Sequence, residues 1–95
     1  MIEVSVQKEN ISVTGHAGYA PSGQDIVCAG VSTLTQALIA SIENLTEDRP
    51  CYIIAPGIFK LKTKDLSEQS KFLVDSFFVG VCGMADAYPN YIQIV

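Results

Sequence analysis

Gly15-His16-Ala17-Gly18-Tyr19-Ala20-Pro21-Ser22-Gly23-Gln24-Asp25-Ile26-Val27-Cys28-Ala29-Gly30-Val31-Ser32 is the stretch in which the chain changes from one hydrophobic period to another. Upstream of it Ile2, Val4 and Val6 alternate with Glu3, Ser5 and Gln7, and Ile11 and Val13 resume the alternation after the polar turn Lys8-Glu9-Asn10. A period of two marks strands with one buried face, so the opening is a hairpin that ends where Gly15 and His16 leave the sheet. Downstream, Val27, Val31, Leu34, Leu38, Ile42 and Leu45 recur every three or four residues. That is the stripe of a helix, capped by Asp25 and ending near Glu47, before Asp48 to Pro50 break the pattern. Ala17 to Gln24 has neither period, and its glycines and Pro21 make it a loop free to move over a bound chain.

The alternation then returns. Tyr52-Ile53-Ile54 suits a strand, Ala55-Pro56-Gly57-Ile58 suits a type II turn, and Phe59 and Leu61 alternate with Lys60 and Lys62. Asp65 or Ser67 caps a second helix with Glu68 in its first turn, a main stripe of Leu73, Phe77, Val81, Met84 and Tyr88, and a stop at Pro89-Asn90. Phe72, Val74, Phe78 and Val79 spread apolar surface beyond that stripe, which suits a helix buried on more than one side, within the monomer or in a dimer. Tyr91 to Val95 closes as a strand. The order strand, strand, helix, strand, strand, helix, strand predicts a single α+β domain over residues 1–95, with two helices packed on a mainly antiparallel sheet.

A chain of 95 residues that is 48% hydrophobic can supply one core without staples. Cys28, Cys51 and Cys82 are odd in number and lack a CxxC pair or Cys/His metal spacing, so no disulfide framework, metal site or cofactor is expected. Cys51 and Cys82 read as buried apolar side chains. The start, Met1-Ile2-Glu3-Val4, alternates instead of forming a signal peptide, and no apolar run approaches a membrane span, Phe72 to Ala85 being broken by Asp75, Ser76 and two glycines. A reduced, cytoplasmic protein is expected. Six Lys and Arg against ten Asp and Glu, a net charge of −4, leave no phosphate-binding footprint. Direct nucleic-acid binding is therefore not expected, whereas a basic peptide or protein would be attracted.

The chemistry gathers in the quoted stretch. With Asp25 as cap, Cys28 falls at the third helical position, where free N–H groups and the positive end of the helix dipole favour a thiolate. His16, the one histidine, lies at the end of a strand, and the loop is long enough to fold its imidazole back beside the helix start. Cys28 is the candidate nucleophile, His16 the candidate general acid and base, and backbone N–H groups near the helix start the candidate oxyanion site. Asp25 orients His16, or only caps the helix. Ser32, one turn beyond Cys28, is placed to donate a hydrogen bond to the sulfur or to an imidazole. Gly15, Gly18 and Gly23 match neither a P-loop nor a dinucleotide fingerprint and read as turn formers. With Tyr19 they border the loop, which makes these four the candidates for substrate binding.

Gly15-His16-Ala17-Gly18-Tyr19 followed by Gly23-Gln24-Asp25-Ile26-Val27-Cys28-Ala29-Gly30-Val31-Ser32 resembles the signature of the ribosomal-processing cysteine proteases, the Prp family. The resemblance implies a bacterial cysteine endopeptidase that removes the N-terminal extension of large-subunit ribosomal protein twenty-seven during ribosome assembly. It places the family's catalytic histidine on His16, its nucleophile on Cys28, its acidic residue on Asp25 and its serine on Ser32. It also implies a homodimer, an active-site loop that rearranges for substrate, and a cleavage motif that is apolar and phenylalanine-containing, followed by basic residues.

Two function classes remain once the resemblance is set beside the residues. A protease with a Cys28–His16 dyad requires an alkylatable thiol and loses all cleavage in Cys28→Ala. A non-catalytic, ribosome-associated peptide-binding module would hold a peptide under the same loop with Cys28 unreactive and replaceable.

Overall fold

The computed structural model describes all 95 residues, from Met1 to Val95. The first hairpin is β1 (Ile2–Val6) and β2 (Asn10–Thr14), paired antiparallel with Val4 opposite Val13 and Val6 opposite Ile11. A second hairpin, β3 (Tyr52–Ala55) and β4 (Ile58–Lys62), joins the first through β4, which pairs antiparallel with β2. The last strand, β5 (Ile92–Ile94), pairs parallel with β1 on the other side. The sheet order is β3-β4-β2-β1-β5, mixed but mostly antiparallel. Its two helices are α1 (Ile26–Leu45) and α2 (Glu68–Ala87). The α+β architecture read from the sequence is thus the one observed.

Alternation decides which face the helices cover. Ile2, Val4, Ile11, Val13, Phe59, Leu61 and Ile92 are buried in one core with Val27, Val31, Leu38, Ile39 and Ile42 of α1 and Phe77 and Val81 of α2. Their neighbours Glu3, Lys60, Lys62 and Gln93 are exposed, as a period of two requires. Burying each aliphatic or aromatic side chain contributes about 1.5–3 kcal/mol, so this row pattern outweighs any local preference.

The two helices interlock through two glycines. Met84 packs over Gly30, where a Cβ would lie 2.6 Å from its Cε, and Leu34 packs over Gly80, where a Cβ would lie 2.9 Å from its Cδ2. Each notch admits a large side chain from the facing helix. At the far end Asp48 holds the helices together, its carboxylate accepting from the Ser67 N–H at 2.9 Å, the Ser67 hydroxyl at 2.8 Å and the fully buried Ser70 hydroxyl. Those bonds, the Ser70 hydroxyl first, hold the Asp48 carboxyl below its usual range.

Several expectations need correction. Leu45 is exposed, and the stripe of α1 is completed instead by Thr35 and Ile39. Thr35 is tolerated inside because its hydroxyl donates to the Ser32 carbonyl at 2.9 Å. The helix ends at Leu45, with Thr46 as its C-terminal cap. Of the two candidate caps for α2, Ser67 takes the role, accepting from the Ser70 N–H at 3.2 Å, while Asp65 sits in a turn at φ 65°. Cys51 is exposed and Cys82 only half-buried, so neither is a core side chain. Finally, α1 is long and apolar enough to cross a membrane by length and composition alone, a run the sequence reading passed over. The same composition suits a helix with one side on a sheet and another against α2.

Candidate active site

The turn after β2 is built on backbone contacts. The Gly15 N–H donates to the Gly57 carbonyl at 2.9 Å, tying the end of β2 to the β3–β4 turn. The Met1 nitrogen donates to the His16 carbonyl at 2.6 Å, which fixes the next peptide from the other side. The His16 imidazole is exposed and lies over Gly57. A Cβ at Gly57 would stand 2.7 Å from Nε2, and its φ of 74° is one that side-chain-bearing residues rarely adopt. Glycine in that turn therefore leaves the place that the ring occupies.

The next residue reaches the thiol. Ala17 is buried, and its N–H donates to Cys28 Sγ at 3.2 Å. Cys28 is half-buried at the third position of α1. Asp25 closes the loop between them with both carboxylate oxygens. Oδ1 accepts from the N–H groups of Val27 and Cys28, each at 3.0 Å, and Oδ2 accepts from those of Tyr19 at 2.9 Å and Ala20 at 3.3 Å. The bond from Cys28 is the largest cause holding the Asp25 carboxyl below its usual range, with those from Tyr19, Ala20 and Val27 adding to it against a desolvation penalty.

This arrangement narrows two expectations. Asp25 makes no hydrogen bond to His16; it caps α1 and gathers the loop. The N–H groups of Val27 and Cys28 are occupied by the Asp25 carboxylate, and that of Ala29 donates to the Asp25 carbonyl at 3.0 Å. The N–H that points at the Cys28 sulfur belongs to Ala17.

His16, Cys28 and Ser32 line a cleft with two lobes. One lobe, of about 500 Å³, lies between α1 and the β3–β4 hairpin, with Gln36, Ile54 and Pro56 among its walls. The other, of about 610 Å³, lies under the loop and is lined by Gly18, Gly23 and Asp25. Ser32 is exposed one turn beyond Cys28, on the side of α1 that faces both lobes. Gly15 lies in the wall of the first lobe, at φ 93°. Tyr19 is placed otherwise: its ring packs edge-on against Tyr88 and Tyr91, at centroid distances of 5.7 Å and 5.1 Å, and lines neither lobe.

The sequence reading missed two participants. The Ala17 N–H has no side-chain signature, and only the fold carries it to the sulfur. The Pro56-Gly57 turn was legible, but its place beside His16 depends on the pairing of β2 with β4. No cluster of His, Cys, Asp and Glu is arranged to hold a metal ion.

The sequence and the fold both have relatives. The family described as cysteine protease Prp matches residues 1–93. A Mycoplasma genitalium protein named ribosomal processing cysteine protease Prp is 30% identical, over 99% of this chain and 94% of its own length. A Staphylococcus aureus protein of the same name is 25% identical over 98% of this chain and 94% of its own. Among solved structures, the fold is shared with the Staphylococcus aureus protease Prp in complex with a covalently linked product peptide. The TM-score is 0.86 at 22% identity, covering 98% of this chain and 94% of that one. A Streptococcus mutans protein superposes with a TM-score of 0.79 at 27% identity, over 98% of this chain and 89% of that one. A likeness that runs from Met1 into the last strand is wider than any single motif, and the chain belongs to the cysteine protease Prp family.

Proposed function

We propose that the chain removes the N-terminal extension of large-subunit ribosomal protein twenty-seven, with Cys28 as nucleophile and His16 as general acid and base. The observation that carries this reading is the shared cleft. It holds a thiol at a helix start, which also accepts a backbone N–H, and the only imidazole of the chain, in a member of a cysteine protease family. Relatives named as ribosomal processing proteases supply the process.

In the proposed reaction the His16 imidazole takes the thiol proton of Cys28 as Sγ adds to the scissile carbonyl carbon. The C–N bond breaks as the His16 imidazolium gives its proton to the leaving amine, and a thioester remains. His16 then takes a proton from water, whose oxygen displaces the sulfur and frees the new carboxyl end. The Ala17 N–H, on the sulfur in the free protein, is within reach of the oxyanion that forms beside it. Asp25 acts on Cys28 by fixing the first turn, and the Ser32 hydroxyl stands in the cleft as a partner for the imidazole or the peptide. Gly15, Gly18 and Gly23 border the peptide. The chemistry requires no cofactor and would proceed in the cytoplasm, where ribosomes assemble. The exposed Phe72 and Val79 of α2 offer a face that a second copy would cover in a homodimer.

Mass spectrometry of a peptide spanning the extension junction tests this reading. Wild type is expected to cut it at one bond and Cys28→Ala not at all; equal binding with no cleavage by either would overturn it in favour of a peptide-binding module.

A further inference from the structure

The open edge of the sheet lies beside the cleft. β3 is the terminal strand, and all four of its residues are exposed, among them Tyr52, Ile53 and Ile54. Natural proteins blunt or cover such edges, because a row of unpaired N–H and C=O groups beside apolar side chains invites another strand. β3 carries no charge and no proline within its span.

The register shows which groups are unpaired. Ala55 and Ile58 flank the two-residue turn, and at the other end the Lys62 N–H donates to the Cys51 carbonyl at 3.0 Å. In an antiparallel pair, hydrogen-bonded and non-hydrogen-bonded positions alternate. Ala55, Ile53 and Cys51 therefore direct their N–H and C=O groups toward β4, while Ile54 and Tyr52 direct theirs outward. The same two residues stand opposite Phe59 and Leu61, whose side chains are in the core, so Ile54 and Tyr52 emerge on the helix-bearing face. Neither helix covers them: they remain 43% and 38% exposed. Ile54 is also a wall of the lobe that holds His16 and Cys28.

We infer that the polypeptide substrate adds to the free edge of β3 as a further strand, hydrogen-bonded to the main chain of Tyr52 and Ile54, and sets an apolar side chain against Ile54. The inference rests on the protease reading of the cleft. An extended chain is what an open edge recognises, since its main chain repeats at the spacing of the edge while alternate side chains enter one lobe. The lobe between α1 and the hairpin has no Lys, Arg, Asp or Glu in its walls, so a charged substrate residue there would lose water without gaining a partner. Ile53 is the internal control. It is also exposed, but its side chain lies on the opposite face and its main chain is turned to β4.

The test is cleavage of a library of unstructured synthetic peptides by wild type, Ile54→Lys and Ile53→Lys, read by mass spectrometry. Both substitutions are at exposed positions, and circular dichroism checks the fold of each. Wild type is expected to require an apolar residue at one fixed distance from the cut bond. Ile54→Lys lowers kcat/KM for those peptides at least tenfold and newly accepts Asp or Glu at that position, whereas Ile53→Lys stays within twofold. Stepwise N-methylation of the best-cut peptide should block cleavage at every second amide along the segment facing β3. Equal effects of the two lysines, an unchanged preference in Ile54→Lys, a flat methylation profile, or no cleavage of any library peptide each overturns the inference. So does a dimer that both lysines dissociate while cleavage persists, because the edge then belongs to a second copy. Failure of the protein twenty-seven reading alone is visible separately, as library peptides being cut while the junction peptide is not.

Discussion

The main-chain N–H of Ala17 donates to the sulfur of Cys28 at 3.2 Å, and the residue immediately before that amide is His16. One peptide unit therefore links the two side chains proposed to react, and the link is testable without touching either. The chain can be assembled by ligation at the native Cys28, with the amide of residue 17 replaced by an ester. This removes one N–H and leaves every side chain in place. In the proposed reaction this N–H serves the oxyanion, and loss of a hydrogen bond to such a charged group costs about 1.5–3 kcal/mol, so kcat should fall about 10- to 100-fold with circular dichroism unchanged. Unaltered kcat would remove Ala17 from the reaction.

Gly57 and Gly23 separate backbone strain from damage to the site. Both have positive φ, 74° and 86°, so alanine at either is strained by about 1–2 kcal/mol and should lower Tm by at least about 4 °C. Only at Gly57 does the new methyl meet the His16 ring; at Gly23 nothing lies within 4 Å of it. Gly57→Ala is thus expected to lose at least about tenfold in kcat, by the sensitivity of catalysis to misplacement near 1 Å, while Gly23→Ala, which borders the peptide but does not touch the ring, keeps kcat within about threefold and changes only KM at a temperature where both are folded.

Asp25 predicts an acid-dependent stability. Its carboxyl is held below the usual range by four N–H donors, the one from Cys28 foremost, so the folded pKa lies under the unfolded value of about 3.9. A depressed carboxylate contributes stability that is fully present above the unfolded pKa and is lost as pH falls through the folded one. The Tm gap between wild type and Asp25→Asn should therefore be full at pH 7 and narrow as the pH is taken below about 4. Asp48 titrates in the same direction in both proteins and cancels in the difference. A gap independent of pH would mean that the charge of Asp25 does not matter to its bonds.

How far the sequence carried these conclusions depends on the range of each interaction. The strands and the helix cap at Asp25 follow from neighbours a few residues apart and are where the periods put them, and the second cap is one of the two residues the sequence offered, Ser67 and not Asp65. The ends of α1 were harder to read. Leu45 continues the stripe on paper but is exposed as the last residue of the helix, and Thr35 enters the core because a local bond to Ser32 satisfies its hydroxyl. Contacts across the fold left no local trace. The amide of Ala17 on the sulfur, Gly57 under His16 and the open edge at Ile54 all depend on which strand lies beside which. The role of Asp25 shows the same limit: a carboxylate next to a loop can cap or orient, and only the positions of Tyr19 and Ala20 reveal that its second oxygen is already taken.

Tyr19 yields the last prediction. Its ring is held edge-on between Tyr88, at the end of α2, and Tyr91, just before β5, so the loop carrying His16 and Ala17 is fastened to the far end of the chain. Aromatic pairs of this geometry contribute about 0.5–1.5 kcal/mol each beyond their buried area. Tyr19→Ala removes both pairs, at a cost of roughly 1–3 kcal/mol, and should lower Tm by at least about 4 °C. Tyr19→Phe keeps both ring contacts and should change neither stability nor kcat. The two variants also separate fastening from substrate contact. If Tyr19 only fastens the loop, amide exchange over residues 18–24 accelerates in Tyr19→Ala and stays as in wild type in Tyr19→Phe, because the peptide never meets the hydroxyl. A Tyr19→Phe protein with a raised KM and unchanged exchange would instead put Tyr19 against the substrate, where the sequence first suggested it.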